Sequence, residues 1–239
     1  MLKKLVPEFI KAPLRAHFHS MRFSRSQAGQ DLWVFGEVFD GKSEGFFLDI
    51  GAHDGVEISN SYVLEKRYKW NGICVEANPE SFKRLKENRQ ATCINVCLDE
   101  KDGTVSFAKR GMFGGIVSED TDNRLGVHDS AVIKVRAVTL ENLLRELNAP
   151  AEIDYLSIDI EGAEERVLKA FPFNRYRFTC MTIERPTEIL RRIISDNGYV
   201  LIKEIPGLDC FYLHRDFMDQ YRANLFSNYS KKYLAICMG

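Results

Sequence analysis

From residue 45 onward, short apolar runs alternate with stretches of helical periodicity. "FFLDI" (46–50) has the pattern of a buried strand, and "ISNSYVLEKRY" after it reads as helical. "GICVEA" (72–77) predicts the next strand. Asn78 can then cap a helix with Pro79 at its first position and Phe82 and Leu85 on one face. "TCINVCL" (92–98) predicts a third strand and "GTVSFAK" (103–109) a fourth. A glycine-rich loop, "KRGMFGGIVSED", precedes a further strand at 131–138. Thr139 can cap a helix whose Leu140, Leu143, Leu144 and Leu147 recur at i, i+3, i+4 and i+7. "IDYLSIDI" (153–160), the helical "GAEERVLKAF", and "FTCMTIE" (178–184) follow. A helix around Ile189, Leu190, Ile193 and Ile194 leads to strands "YVLIKEI" (199–205) and "CFYLHR" (210–215).

Strands alternating with helices imply parallel β-α-β units. The predicted fold is therefore α/β, a mostly parallel, doubly wound sheet with inserted strands. Such sheets bind ligands outside the carboxyl ends of their strands. Asp49, Glu76, Asp99, Asp159 and Glu184 each close an apolar run, so five acids are expected along one edge.

Composition narrows the classes. The 239 residues are enough for one well-filled core. The 33 basic and 34 acidic side chains leave a net charge of −1, so no overall field recruits nucleic acid. No apolar run approaches the ~20 residues of a membrane helix. Lys3, Lys4, Lys11, Arg15, Arg22 and Arg25 face the single acid Glu8 in a basic N-terminal arm, residues 1–25. The arm lacks a signal peptide's apolar core, and cytoplasm is the expected location. Its Leu2, Leu5, Val6, Phe9 and Ile10 could rest on an anionic membrane. Pro7 and Pro13 interrupt a clean helix there, and a dimer contact or a frayed arm is the plainer role. Oligomeric state stays open. The cysteines sit in apolar runs and read as packed thiols, Cys93 and Cys97 having no second ligand pair nearby.

"GFFLDIGAHDG" (45–55) has the shape of a ligand turn. Aligned on Gly51, the dinucleotide pattern G-x-G-x-x-G meets His53 and Val56 where glycines are needed. No Lys-Ser/Thr follows Gly55, which excludes the phosphate loop of nucleotide hydrolases. Asp49, Asp54 and Glu57 would also repel a phosphate. What remains is D-x-G-x-x-x-G, with Glu76 placed 27 positions after Asp49 to accept hydrogen bonds from ribose hydroxyls. This arrangement is similar to the S-adenosylmethionine site of class I methyltransferases.

"FLDIGAHDG", "GICVEANPESF", "VTLENLL" and "LSIDIEGAEERVLKAF" stand in the order and spacing of the FkbM-type methyltransferase family. "SQAGQD" (26–31) resembles the segment before the cofactor domain in one branch of it. The resemblance spans roughly residues 25 to 215. It implies a Rossmann-like class I methyltransferase domain over 26–239. It also implies S-adenosylmethionine-dependent O-methylation of a hydroxyl on a glycan, a glycoconjugate or a secondary metabolite. The cofactor contacts are then expected at Gln30, Asp31, Asp49, Gly51, Ala52, His53, Asp54, Gly55, Glu76, Ala77, Asn78, Leu98, Asp99 and Asp159. Gln27, Gln30 and Asp31 would fold over the cofactor, by resemblance.

A sugar hydroxyl needs a base or a metal to become a nucleophile at neutral pH. Asp159, Glu161 and Glu184 are the catalytic candidates, and as a carboxylate cluster they would also suit Mg²⁺ or Mn²⁺. His53 is the other base candidate, with His128 and His214 behind it. The loop at 110–120 is the expected acceptor side. Two other classes stay in view: a non-catalytic scaffold of the same fold, and a nicotinamide-dependent oxidoreductase, which the failed glycine spacing disfavours.

Overall fold

The computed structural model describes residues 23–124 and 131–237, with side chains to residue 227. Residues 1–22 of the basic arm, with Pro7 and Pro13, and His128 lie outside the described residues. In chain order the elements are α1 (Gln30–Leu32, running on as a π-helical turn, Trp33–Val38), β1 (Phe46–Ile50), α2 (Tyr62–Tyr68), β2 (Asn71–Val75) and α3 (Pro79–Asn88). Next come β3 (Thr92–Ile94), β4 (Cys97–Leu98), β5 (Gly103–Ala108), β6 (Gly115–Ile116), β7 (Val132–Val138) and α4 (Leu140–Glu146). The chain continues with β8 (Glu152–Ile158), α5 (Glu164–Leu168), β9 (Arg177–Glu184), α6 (Glu188–Asp196), β10 (Tyr199–Glu204), β11 (Asp209–His214) and α7 (Met218–Cys237).

Seven strands form the main sheet in the order β10-β11-β9-β8-β1-β2-β3. The five from β9 to β3 are mutually parallel. β11 runs antiparallel to both β9 and β10, so the sheet is mostly parallel, as expected. The two-residue period of a strand sorts the core into two layers. Leu48 and Ile50 of β1 pack with Leu140, Leu144, Leu168, Leu190 and Ile194 from α4, α5 and α6. Phe47 packs on the other face with Trp33, Val34, Leu64, Leu85 and Tyr221. Strands buried on both faces need near-continuous apolar runs, which is why β8 and β9 were conspicuous in the sequence. Helix boundaries follow local chemistry: Asn78 accepts the Glu80 N–H and Thr139 the Asn142 N–H as side-chain caps.

The run 92–98 is two strands rather than one. Asn95 turns out of β3, its Nδ2 donating to Glu76 O at 2.7 Å. The chain then enters a second sheet of order β4-β7-β5-β6. β7 pairs there with β4 and β5. The second sheet covers the carboxyl-end edge of the first. A Cβ on Gly115 of β6 would come within 3.2 Å of Glu161 Cβ. Among the described residues, no helix is long and apolar enough to cross a membrane.

Candidate functional site

The carboxyl ends of β1, β2 and β8 open onto two adjoining clefts. The first, of about 510 Å³, has Glu76 at its base and Val75, Leu98, Phe107 and Ile116 along its walls. The second, of about 430 Å³, is lined by Asp49, Ala52, Glu57, Ser59, Asn60 and Ser157, among others. Gly51, His53, Met112 and Asp159 line both and mark where they meet.

Gly51 has φ +86, and a Cβ there would lie 1.9 Å from Asp159 O. Only glycine lets β1 and β8 end this close together. Gly55 is set by a different neighbour, because its Cβ would meet Arg89 Cγ at 2.6 Å. Asp54 bends the loop between them by accepting the Val56 and Glu57 N–H groups at 2.9 Å. Burial opposes its ionisation, but those two hydrogen bonds hold the carboxyl below its ordinary range.

Glu76 follows β2 and is buried. Its Oε2 accepts His53 N–H at 2.8 Å and its Oε1 accepts Asn78 N–H at 2.6 Å, so one carboxyl ties the two loops together. Burial pushes it up to about 7. Ala77 lines the first cleft beside it. Asp49 lies deeper, where burial raises its carboxyl while Arg89 and a hydrogen bond from Ser61 Oγ oppose the rise.

Asp99 does not line either cleft. Because β4 belongs to the second sheet, Asp99 turns toward α5, where Arg166 Nε and Nη2 donate to its two oxygens at 2.8 and 3.1 Å. Leu98 beside it does face the first cleft. Gln30 and Asp31 are buried inside the segment that carries them. Asp31 accepts from Ser24 Oγ, Ser26 Oγ, Arg25 N and Leu32 N, and Gln30 Nε2 donates to Asp209 Oδ2 at 2.7 Å.

Asp159, Glu161 and Glu184 converge, each offering one oxygen within 4.8 Å of the others. Burial, then the charge of Glu184, raises Asp159 well above the carboxylate range. The same two causes bring Glu161 to about 7. Glu161 and Arg185 hold left-handed backbone, at φ 57 and 35, so the turn around the cluster is strained. Arg185 covers it, with Nε 2.9 Å from Glu184 and Nη2 3.3 Å from Glu161. Asp209 of β11 stands opposite Glu184 in register.

His53 is less free than its position in the loop implied. Arg84 Nη2 lies 3.3 Å from Nε2, which must accept, so the proton belongs on Nδ1. Nδ1 is buried without a hydrogen-bond partner, and burial lowers the pKa of the ring. His214 is at the opposite edge, because β11 is antiparallel and its end pairs near the start of β9. Arg89, Arg185 and Asp209 were not anticipated, whereas Met112 falls in the 110–120 loop. Arg89 follows a helix of ordinary polar character, and only its spacing from Gly55 could have marked it.

The Methyltransferase FkbM domain model matches residues 49–201. Among solved structures, an FkbM methyltransferase from Methylobacillus flagellatus KT is 14% identical, covering 89% of this chain and 56% of its own, with TM-score 0.50. The METTL16 methyltransferase domain is 12% identical over 77% of this chain and 65% of its own, with TM-score 0.45. A methyltransferase from Pyrococcus furiosus is 13% identical over 85% and 82%, with TM-score 0.37. This chain thus spans only 65% and 56% of the first two. A search of curated proteins finds no match. The fold is the Rossmann-like one of class I methyltransferases. With more than half of its length matched by the family's model, the chain belongs to the FkbM methyltransferase domain family.

Proposed function

We propose that the protein is an S-adenosylmethionine-dependent O-methyltransferase acting on a sugar hydroxyl of a glycan or glycoconjugate. The observation that carries this is the meeting of the two clefts at Gly51, His53, Met112 and Asp159, with the buried Glu76 on one side and Asp159 clustered with Glu161 and Glu184 on the other. The residues fit the cofactor. Val75, Leu98, Phe107 and Ile116 give a purine an apolar slot, and Glu76 keeps lone pairs for ribose hydroxyls beyond its two backbone bonds. Asp49 and Asp159 face the second cleft, where the cofactor's ammonium and sulfonium groups are favoured. When bound, S-adenosylmethionine supplies an electrophilic methyl group.

The remaining task falls to the chain: orient an acceptor hydroxyl and take its proton. Glu161 suits this, since a carboxyl near 7 can hold or release a proton at neutral pH. Its Oε2 is turned to Arg185, which leaves Oε1 to receive the proton. Asp159 lies beside it, its carboxyl raised by burial and then by the charge of Glu184. A divalent cation, Mg²⁺ or Mn²⁺, at Asp159, Glu161 and Glu184 is a second reading, favoured by the 4.8 Å spread of their oxygens. Arg185 already supplies part of the positive charge such an ion would bring, so the base reading is preferred.

Calorimetric titration with S-adenosylhomocysteine, beside a Glu76→Ala variant, tests the cofactor. Saturable binding that the substitution weakens by about 1–3 kcal/mol is expected. No binding by the wild type would refute the proposal and leave a non-catalytic scaffold of the same fold. Methyl transfer to glycan acceptors, with Mg²⁺ and with EDTA, then separates base from metal.

A further inference from the structure

We infer that Arg89 is the positioning residue of the cofactor loop: buried beneath the clefts, it holds residues 49–61 in binding geometry without touching a ligand. This rests on the methyltransferase proposal above. The Arg89 side chain is fully buried, so it cannot reach the contents of either cleft. Its Nε donates to Glu65 Oε2 at 2.8 Å. Nη1 reaches Gly55 O at 3.2 Å and Ser59 Oγ at 3.3 Å, and Nη2 donates to Ser61 Oγ at 2.9 Å. Ser61 Oγ in turn donates to Asp49 Oδ2, so a directed relay runs from the guanidinium to the first acid of the loop. Arg89 Nη1 itself lies 3.9 Å from Asp49.

The neighbours of this group complete the clamp. Glu65 Oε1 and Oε2 also accept the Gln90 and Ala91 N–H groups, which fixes the segment that presents Arg89. Asn88 Nδ2 donates to Asp54 O at 2.9 Å, one residue before the glycine that Arg89 holds. A Cβ at 55 would strike Cγ of the arginine and Cδ1 of Leu85, both at 2.6 Å, and φ there is +77. The second glycine of D-x-G-x-x-x-G thus makes the turn and also leaves room for the arginine stem. Four acceptors in three directions call for a planar fork with five N–H groups. Lysine, a point charge, cannot serve them together.

Arg89→Lys keeps the cation and loses the fork. It is expected to weaken S-adenosylhomocysteine binding at least tenfold, and in turnover to raise KM for S-adenosylmethionine more than it lowers kcat. Ser61→Ala cuts only the relay to Asp49, and should give a smaller loss of affinity with folding intact. Ile194→Ala, on the buried face of α6, is the control for stability alone. At a similar drop in Tm its affinity should stay within twofold of wild type. Binding by Arg89→Lys and Ser61→Ala at wild-type strength would overturn the inference, as would equal losses in Ile194→Ala. Absence of binding by the wild type would instead remove the cofactor proposal, and this inference with it.

Discussion

Glu164 offers a sharp test of how burial governs charge beside the candidate site. It opens α5, is 4% exposed, and its Oε1 accepts the Ile160 N–H at 2.8 Å. Burial, with some help from the charge of Glu184, pushes its carboxyl from 4.5 to about 7. A pKa raised in the folded state means that the native protein binds this proton more tightly than the unfolded chain. The corresponding stability is fully present below about 4.5 and is lost as pH rises through about 7. A shift of about 2.5 units corresponds to about 3 kcal/mol. Glu164→Gln keeps a carbonyl oxygen for Ile160 and removes the charge. Its advantage over wild type should therefore be under about 1 kcal/mol at pH 5. It should reach about 3 kcal/mol by pH 7 to 8, then level off. In thermal melts that is roughly 6–12 °C for a chain of this size. Urea unfolding at pH 5, 6, 7 and 8 measures it directly, provided the slope is common to both proteins. An offset that is the same at every pH, or a variant less stable at pH 8, would refute the reasoning.

Two further substitutions test the placement of individual residues. Gly51→Ala forces a Cβ to within 1.9 Å of Asp159 O at φ +86, so little soluble folded protein is expected; a soluble variant with wild-type Tm would contradict this close approach. Asp99→Asn weakens the fork to Arg166 and should cost about 1–3 kcal/mol in urea unfolding while S-adenosylhomocysteine affinity is retained. A tenfold affinity loss at unchanged stability would return Asp99 to the cofactor.

The parallel core of the main sheet was legible because strands buried on both faces carry near-continuous apolar runs, as the centres of β1, β8 and β9 do. The caps at Asn78 and Thr139 were legible because they depend on bonds two or three residues away. What could not be read was partnership across the chain. "TCINVCL" looks continuous, yet Asn95 spends its amide on Glu76 O and Ala77 O and sends the two halves to different sheets. The direction of β11 was equally hidden, since a strand pattern does not reveal which way its neighbour runs. That hidden reversal carried His214 to the far edge of the sheet and brought Asp209 beside Glu184.

The acids at the strand ends show the same division between local signal and distant partner. Each poses one problem, a carboxyl with little water, and each is resolved differently. Asp49 has Ser61 and, behind it, Arg89; Glu76 has two backbone N–H groups; Asp99 has Arg166; Glu184 has Arg185. Asp159 has another carboxyl against it instead, Glu184, and burial together with that charge raises its pKa. Glu161, half shared with Arg185, comes to about 7. Sequence alone ranks these acids equally, because the type and spacing of a residue are the same whether or not a cation waits across the fold. Glu76 and Glu161 both come to about 7, and of the two only Glu161 stands in the carboxylate cluster with Asp159. The proposed base role falls on Glu161 for that reason, and the arginines paired with Asp99 and Glu184 shape the candidate site as much as the acids do.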